Sequence, residues 1–268
     1  MKKNAIIFSI SSDIGYEIAL MLQKEGYTVY GTYNNFSEKI STLLKLGMKL
    51  YQCNLLHDEN INQVIKLIKN HCKVWHSLFL LQASMNPIGR LTSINLDEWE
   101  NSLKLNFINQ IKIITQFLDI KAKENPCVIT FAGGGTNSAT KHFSAYTISK
   151  IALIKMMELL YEENKDVKFT CIGPGWVKTK IHQETLNAKD NAYEAYKSTI
   201  EHLNNDKFTN IQDILECILW ILNEKIDIVS GRNFSVVHDS WGKEELNNEL
   251  LINQNMYKLR REGNQWKI

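Results

Sequence analysis

The fold class is indicated most clearly by the segment AIIFSISSDIGYEIALMLQKEGYTVYGTY, residues 5–33. It opens with an apolar run, AIIFSI (5–10), which predicts a buried strand. The segment IGYEIALMLQKEG (14–26) has the apolar spacing of a helix and ends in glycine, and YTVYGTY (27–33) predicts a second strand. A strand, a helix and a strand in this order predict two parallel strands joined by a crossover helix.

The same alternation continues along the rest of the chain. Further apolar runs predict strands at 48–54, 75–84, 126–133, 167–173 and 231–237. Helical spacing predicts helices at 37–47, 58–70, 97–118, 145–163 and 211–222. We therefore expect an α/β fold: a doubly wound, Rossmann-type parallel sheet of about seven strands with helices on both faces.

Composition limits the classes of protein to consider. With 268 residues, 44% apolar and 22% charged, the chain suits one domain spanning residues 1–268. A net charge of +2 gives no electrostatic reason to expect a nucleic-acid partner. The five cysteines lack the CxxC spacing of a metal site, which favours a reduced, cytoplasmic protein without a metal. No apolar run approaches the ~18 residues that would span a membrane.

The first turn, SISSDIG, resembles a phosphate-binding turn that has lost two glycines. Gly15 remains, while Ser9 and Asp13 take the other glycine places. Ser11 and Ser12 could donate hydrogen bonds to a pyrophosphate, which the N-terminus of the following helix would attract. We expect Asp13 to cap that helix, since its carboxylate would otherwise lie near phosphate.

The end of the second predicted strand, GTYNNFSEK, bears on the choice of cofactor. An NAD site commonly has an acidic residue here to bind the ribose, and none occurs before Glu38. Polar and basic side chains could instead accept a 2′-phosphate, namely Asn34, Asn35, Ser37 and Lys39. The segment favours NADP(H), with NAD(H) as the alternative.

Several motifs arrive in a fixed order over nearly 240 residues. Trp99 is followed seven residues later by Asn106, Tyr146-x-x-x-Lys150 is intact, and PGWVKT (174–179) follows the sixth strand. In this ordered set the chain resembles the short-chain dehydrogenase/reductase family. The resemblance implies a single Rossmann-type domain and a nicotinamide cofactor.

The resemblance also implies which residues contact that cofactor. Asn54 stands in the place of the family's adenine-binding Asp, and LQAS (81–84) stands where the family has Asn-Asn-Ala-Gly. The implied cofactor-binding set is Ser9, Ser11, Ser12, Ile14, Gly15, Tyr33, Asn34, Asn54, Leu55, Gln82, Ala83, Ser84, Lys150, Pro174, Gly175, Val177 and Thr179.

Tyr146 and Lys150 carry the predicted chemistry. Four residues apart, they share one helix face. A lysine ammonium and the positive nicotinamide ring would lower the pKa of the phenol, so that Tyr146 exchanges a proton with a hydroxyl or carbonyl. By the resemblance, Lys150 also holds the nicotinamide ribose, and Asn106 orients Lys150 through a water.

The family keeps a serine thirteen residues before the tyrosine, where this chain has Gly133 in the run Gly133–Gly135. Thr136 or Ser138 could return the missing hydroxyl, and we favour Ser138 because it lies nearer the helix of Tyr146. Glycine amides could donate instead, as in an oxyanion hole. A turn with no catalytic role is a further alternative.

Two segments depart from the strand–helix alternation. Residues 176–210, here called the lid segment, are expected to cover the substrate, or else to form a solvated helical hairpin. Four side chains of this segment could meet an anionic substrate: Lys178, Lys180, His182 and Lys189. Residues 239–268 read as a polar C-terminal tail with two tryptophans, Trp241 and Trp266.

These patterns predict an NAD(P)-dependent oxidoreductase that interconverts an alcohol and a ketone on a small molecule. FAGGGTN, GPGWVKTKIH, HDSW and MYKLRR more weakly resemble members associated with bacterial surface-polysaccharide and nucleotide-sugar pathways. An epimerase or dehydratase of a nucleotide-sugar, and a degenerate non-catalytic dinucleotide-binding protein, remain alternatives. The helix at 151–161 is apolar over more than one face, which predicts a homodimer or homotetramer.

Overall fold

The computed structural model describes residues 2–262 and contains one sheet of seven strands. The strands are β1 (Asn4–Phe8), β2 (Thr28–Tyr33), β3 (Lys49–Gln52), β4 (Ser77–Leu80), β5 (Cys127–Phe131), β6 (Lys168–Gly173) and β7 (Arg232–Ser235). They lie in the order β3-β2-β1-β4-β5-β6-β7, and every neighbouring pair is parallel. The predicted doubly wound parallel sheet is confirmed.

Helices cover both faces of the sheet. They are α1 (Asp13–Lys24), α2 (Glu38–Lys45), α3 (Asp58–His71), α4 (Leu96–Leu103), α5 (Asn109–Phe117), α6 (Ser144–Glu163), α7 (His182–Ala188), α8 (Glu194–Asn204), α9 (Ile211–Asn223), α10 (Ile226–Val229) and α11 (Glu244–Ile252). One apolar core lies between the sheet and α1, α2, α9 and α11, and a second lies between the sheet and α3, α5 and α6. All five cysteines are buried and free.

The helix predicted over 97–118 is interrupted. A π-helical turn, Lys104–Ile108, separates α4 from α5. Such turns often mark functional positions in helices. Here the turn contains Asn106, whose buried side chain binds the chain after β4, a contact that periodicity in the sequence does not encode.

The C-terminal segment is more than the predicted polar tail. Helix α11 buries Leu246 and Leu250 against the first core, and the indole N–H of Trp241 donates to the carbonyl of Val236 at 3.0 Å. Trp266 lies outside the described residues. No helix within residues 2–262 has the length and apolar character needed to cross a membrane.

The lid segment also contains ordered helix. It comprises α7, a short 3-10 turn at Lys189–Ala192, and α8. It contacts the first turn and the chain after β4, where the carboxyl ends of the strands place a ligand site in a doubly wound sheet, and it also contacts the loop before α6.

Candidate active site

Tyr146 and Lys150 lie together on the first turns of α6. The ammonium nitrogen of Lys150 is 5.6 Å from the centre of the Tyr146 ring. Lys150 is buried and donates a hydrogen bond of 2.8 Å to the carbonyl of Phe131, at the carboxyl end of β5. The structure therefore brings the two predicted catalytic groups to the edge of the sheet where ligands bind.

The buried position of Lys150 destabilises its charged form. Burial lowers the pKa of its ammonium to about 8. An ammonium has three donors, and among the described residues one acceptor, the Phe131 carbonyl, is bonded to it. The remaining donors suit the hydroxyls of a ribose, which is the role that the sequence implied.

The pKa of Tyr146 is raised, whereas the sequence predicted that it would be lowered. Burial foremost, with the negative charge of Glu184 and the thiol of Cys171 in addition, raises the pKa of the phenol to about 12. The protein's own groups act against the expected lowering, because burial removes the hydration of the phenolate, and the effect of a nicotinamide ring on this pKa stays a prediction. The half-buried phenol is therefore protonated at neutral pH.

Asn106 holds the chain after β4 in place. Its amide oxygen accepts from the N–H of Ser84 at 2.9 Å, and its amide nitrogen donates to the carbonyl of Ser84 at 2.8 Å. Its own carbonyl accepts from the side chain of Gln110 at 2.8 Å. The structure thus gives Asn106 a direct part in positioning Ser84, and its action on Lys150 through a water stays a prediction.

Gly133 has a physical reason to be glycine. A Cβ placed there would lie 2.5 Å from the hydroxyl oxygen of Tyr146 and 2.6 Å from two of its ring carbons. No side chain fits at this position while Tyr146 keeps its place. Of the two hydroxyls considered as substitutes for the family serine, Thr136 is half-buried and Ser138 is exposed.

The first turn has two positions, Ser9 and Gly15, whose backbone geometry suits glycine. Ser9 has a φ of 62°, a left-handed conformation that glycine adopts more readily. A Cβ on Gly15 would approach the Ser12 hydroxyl and the Ser9 carbonyl to 2.7 Å, so only glycine fits there. Ser11 and Ile14 flank these residues, and both are half-buried.

The cap of α1 is Ser12 and not Asp13, because the Ser12 hydroxyl accepts from the N–H of Gly15 at 3.1 Å. The carboxylate of Asp13 instead accepts from the Lys39 ammonium at 2.6 Å and from the N–H of Lys180 at 2.9 Å. Burial opposes the charge of Asp13, yet these two donors hold its pKa below the ordinary value. Lys39, a candidate for a 2′-phosphate, is therefore paired with a carboxylate.

The other residues predicted on the adenine side lie at the ends of β2 and β3. The carbonyl of Asn34 accepts from Gln52 at 2.9 Å, and the amide oxygen of Asn54 accepts from the N–H of Leu56 at 3.0 Å. Tyr33 ends β2, and Leu55 is buried beside Asn54. The Asn54 oxygen keeps a second lone pair for a ligand.

The chain after β4 carries a polar group without a partner. Gln82 is buried, and neither its amide oxygen nor its amide nitrogen is hydrogen-bonded among the described residues. Ala83 beside it is half-buried. A buried amide without partners is unfavourable, so a ligand offering both a donor and an acceptor would stabilise this position.

The segment after β6 begins with Pro174 and Gly175, the latter at a φ of 75°. A side chain at Gly175 would collide with Thr209. Farther on, the Val177 carbonyl bonds to the His182 ring at 2.8 Å, and the Thr179 carbonyl accepts from the His182 N–H at 3.4 Å. All four residues predicted to face the nicotinamide thus lie in one loop that leads into α7.

His182 is part of an aromatic stack. The Trp176 ring lies between the rings of His182, at 4.7 Å, and His202, at 4.1 Å. Within residues 2–262, no group of three or more His, Cys, Asp or Glu side chains could hold a metal ion. The stack ties α7 and α8 to the end of β6.

No motif in the sequence predicted a place in the site for Glu184 of α7. Its Oε2 atom accepts from the Ser84 hydroxyl at 3.0 Å, the Met85 N–H at 2.6 Å and the Asn86 N–H at 3.1 Å. These partners precede it by about 100 residues, so no local pattern could have shown the contact. An acidic side chain within a lysine-bearing segment was the one available signal.

Glu184 also borders a cleft of about 380 Å³ between α7 and the chain before α4. Most of the lining is polar: Asn86, Ser93, Asn95, Glu98, Glu184, Asn187 and Asn191. No lysine or arginine is among the described residues that line it. Lys178, expected to meet an anionic substrate, pairs with Asp206 at 3.1 Å instead, and Lys180 and Lys189 are also outside the lining.

These residues fit a nicotinamide dinucleotide. The glycine-dependent first turn, the unpartnered Gln82 and the buried ammonium of Lys150 lie at the carboxyl ends of β1, β4 and β5. When bound, such a cofactor supplies or accepts a hydride. The predicted proton-bearing group of the chain is Tyr146.

Comparison with known proteins supports this interpretation. A family model described as enoyl-(acyl carrier protein) reductase matches residues 10–238. The chain is 22% identical to a 3-oxoacyl-[acyl-carrier-protein] reductase of Buchnera aphidicola, over 88% of this chain and 96% of that protein. It is 24% identical to an L-rhamnose 1-dehydrogenase (NADP(+)) of Thermoplasma acidophilum, over 85% and 92%.

Solved structures show the same fold. Actinorhodin polyketide ketoreductase with NADPH superposes with a TM-score of 0.74 at 17% identity, covering 88% of this chain and 95% of that one. A short-chain dehydrogenase/reductase of Saccharomyces cerevisiae gives 0.78 at 19% identity, covering 90% and 98%. The family model spans most of the chain, and the chain therefore belongs to the short-chain dehydrogenase/reductase family, whose members are oxidoreductases that bind NAD(P).

Proposed function

We propose that this protein interconverts an alcohol and a ketone on a small, hydroxyl-rich molecule with NADP(H). The observation that carries the proposal is the placement of the Tyr146 phenol and the buried Lys150 ammonium side by side at the end of β5. A chain without catalytic function would have no reason to keep a buried, poorly partnered ammonium beside a phenol. The degenerate, non-catalytic alternative is disfavoured on this ground.

Tyr146 acts as the proton carrier. A phenol with a pKa of about 12 is protonated at neutral pH and can donate to the oxygen of a ketone as it becomes an alcohol. The protonated phenol is the form required for the reduction step. Oxidation would need the phenolate, which a bound positive nicotinamide ring would favour.

The substrate oxygen needs a second donor in place of the absent serine. We propose that Thr136 or Ser138, or an amide of Gly133–Gly135, supplies it. The half-buried position of Thr136 supports that residue, and the exposure of Ser138 weakens the sequence-based preference for Ser138. One such donor typically contributes ~10²–10³ in rate.

Glu184 joins the cleft beside α7 to the chain after β4, while Tyr146 and Lys150 are not among the residues that line the cleft. For a substrate that enters through this cleft, the lining supports a neutral molecule. Amides together with Glu98 and Glu184 suit hydroxyl groups, whereas a diphosphate would meet negative charge and no cation among the described lining residues. A free sugar or similar polyol therefore fits better than a nucleotide-sugar. The L-rhamnose dehydrogenase relative supports a sugar substrate, and membership of a surface-polysaccharide pathway stays a proposal.

The finer properties rest on separate observations. No acidic side chain ends β2, which supports NADP(H) over NAD(H). Ile148 and Leu159 of α6 are exposed, which supports assembly into a homodimer or homotetramer. Five buried, free thiols support a reduced, cytoplasmic setting.

A spectrophotometric screen tests the proposal. NADPH consumption would be followed with neutral ketoses and aldonolactones, a nucleotide-sugar and an acetoacetyl thioester, with NADP⁺ and free aldoses for the reverse direction. We expect turnover on a neutral polyol or its carbonyl form, and none with Tyr146→Phe. Tight NADPH binding without turnover on any substrate would favour the non-catalytic alternative, and conversion of a nucleotide-sugar without net NADPH use would favour an epimerase or dehydratase.

A further inference from the structure

The side chain of Glu184 makes a concentrated contact across the site. One oxygen, Oε2, accepts three hydrogen bonds from consecutive residues of the chain after β4: Ser84, Met85 and Asn86. Two of these donors are backbone N–H groups. Hydrogen bonds to a charged acceptor are among the stronger ones in proteins, so this contact is a firm attachment of α7 to that chain.

The attachment links the lid segment to the centre of the site. Thr185, the next residue of α7, is buried and bonds to the sulfur of Met85 at 3.3 Å. On its other side Ser84 is held by both polar atoms of Asn106. Residues 84–86 are thus fixed from the core by a helix turn and from the lid by a carboxylate.

The charge of Glu184 also influences Tyr146. The charged and titratable groups that act on the phenol are Lys150, 5.6 Å from the ring centre, the thiol of Cys171 from β6 and the carboxylate of Glu184 from α7. After burial, Glu184 is the largest influence that raises the pKa of Tyr146. A negative charge keeps the proton on the phenol, which is the form that donates during reduction.

We propose that Glu184 is a positioning residue, which fastens the lid segment to residues 84–86 at the edge of the site. The fastening does not depend on the proposed oxidoreductase function, whereas the influence of the Glu184 charge on Tyr146 matters only with that function. Neither follows from the motifs at Tyr146, Lys150 and Asn106.

Two variants separate the two roles. In Glu184→Gln, an amide oxygen can replace Oε2 and keep all three hydrogen bonds while the charge is lost, because Oε1 takes part in none of them. Glu184→Ala removes both. Glu98→Gln is the matched control, since Glu98 is an exposed carboxylate that lines the same cleft and makes none of these bonds.

The first measurement is hydrogen exchange of the Met85 amide, which requires no activity; the Asn86 N–H is less diagnostic because it also donates to the Ser84 hydroxyl at 3.1 Å. We expect Met85 exchange about tenfold or more faster in Glu184→Ala, and near the wild-type rate in Glu184→Gln and Glu98→Gln. Equal protection in the wild type and in Glu184→Ala would overturn the fastening. Equal loss of protection in Glu184→Gln and Glu184→Ala would show that the amide cannot replace the carboxylate, and would likewise overturn the separation of roles.

The second measurement is the titration of Tyr146. In protein labelled with fluorotyrosine, with the resonance assigned by Tyr146→Phe, the pKa should fall by about half a unit or more in Glu184→Gln and stay unchanged in Glu98→Gln. If the enzyme is active, the alkaline limb of its pH–rate profile for reduction should move to lower pH by the same amount. An unmoved titration would overturn the electrostatic role, whereas a moved titration in a protein without turnover would contradict only the proposed function.

Discussion

Helix α6 carries ionisable side chains near both of its ends. At the start, Tyr146 and Lys150 lie where burial works against their charged forms, moving their pKa values to about 12 and about 8. Near the other end, Glu158 is also buried, but hydrogen bonds from Arg260 and Lys155 lower its pKa to about 2. One end keeps ionisable groups without ion partners, and the other pairs its charge.

The two ends of α6 thus differ in what we expect their ionisable groups to contribute: chemistry at the start and stability near the other end. A buried group without an ion partner destabilises the fold and is kept for what it does, whereas a paired group stabilises it. Arg260 belongs to the segment after α11, so its pair with Glu158 holds the C-terminal segment against α6. We expect mutations at the two ends to affect different measurable quantities.

The largest expected effect is on turnover in Tyr146→Phe. This change removes the phenol hydroxyl but keeps the ring that packs on Gly133. Loss of a general acid typically costs 10²–10⁴ in rate, and we expect a fall within roughly that range. Affinity for NADPH, measured by fluorescence, should change little, and a variant that retains most of its turnover would exclude Tyr146 as the proton donor.

Gly133→Ser should be the next largest effect. In the family pattern a serine here assists the reaction, but in this chain its Cβ would lie 2.5 Å from the Tyr146 hydroxyl oxygen. The ring must shift, and we expect turnover to fall at least about tenfold, with Gly133→Ala falling similarly. Gly134→Ser is the control, since a Cβ at Gly134 meets nothing within 4 Å. A faster Gly133→Ser enzyme would show that the site merely lacks a hydroxyl.

Lys150→Met should alter the pH dependence of stability. In the wild type Lys150 has a pKa of about 8 when folded and about 10.5 when unfolded, so the unfolded chain binds more protons between these values. The free energy of unfolding of the wild type, relative to Lys150→Met, should therefore rise by about 1–3 kcal/mol from pH 8 to 10.5. Urea unfolding across this range measures it, and parallel curves for the two proteins would contradict the assigned burial of the charge.

Arg260→Ala should give the smallest effect, on stability alone. The partly exposed Arg260 limits the loss to about 1 kcal/mol of unfolding free energy at neutral pH. Because the pKa of Glu158 is depressed, this contribution is present above about pH 4.5 and disappears as pH falls towards 2. Unfolding at pH 7 and pH 3 should show a smaller difference between the two proteins at pH 3, and a constant difference would refute the pairing.

The sequence predicted the architecture because each strand and helix has its own local apolar pattern. The seven strands, α6 and α9 follow from such patterns. The interruption of the helix at Asn106 could not be predicted, because Asn106 bonds there to Ser84, which is 22 residues away. The bond between Asp13 and the N–H of Lys180 could not be predicted either, since Lys180 lies 167 residues farther along the chain.

The sequence predicted that Tyr146 and Lys150 lie together in the candidate site, but it did not predict the direction of the Tyr146 pKa shift. Tyr146 and Lys150 meet because a four-residue spacing in a helix puts them on one face. The direction of the Tyr146 pKa depends on burial and on Glu184, neither of which a motif contains. From the sequence, Gly133 was interpreted as the loss of the family serine. In the structure, a side chain at this position would collide with the Tyr146 ring.

The most direct test of the separation on α6 measures two quantities on the same preparations of Tyr146→Phe and Arg260→Ala: turnover on the substrate found by the screen, and the free energy of unfolding in urea at pH 7. We expect Tyr146→Phe to lose turnover by about 10²-fold or more and to keep its free energy of unfolding within about 1 kcal/mol. We expect Arg260→Ala to keep its turnover and to lose about 1 kcal/mol of unfolding free energy. Loss of turnover in Arg260→Ala comparable to that in Tyr146→Phe, or full turnover in Tyr146→Phe, would contradict this separation.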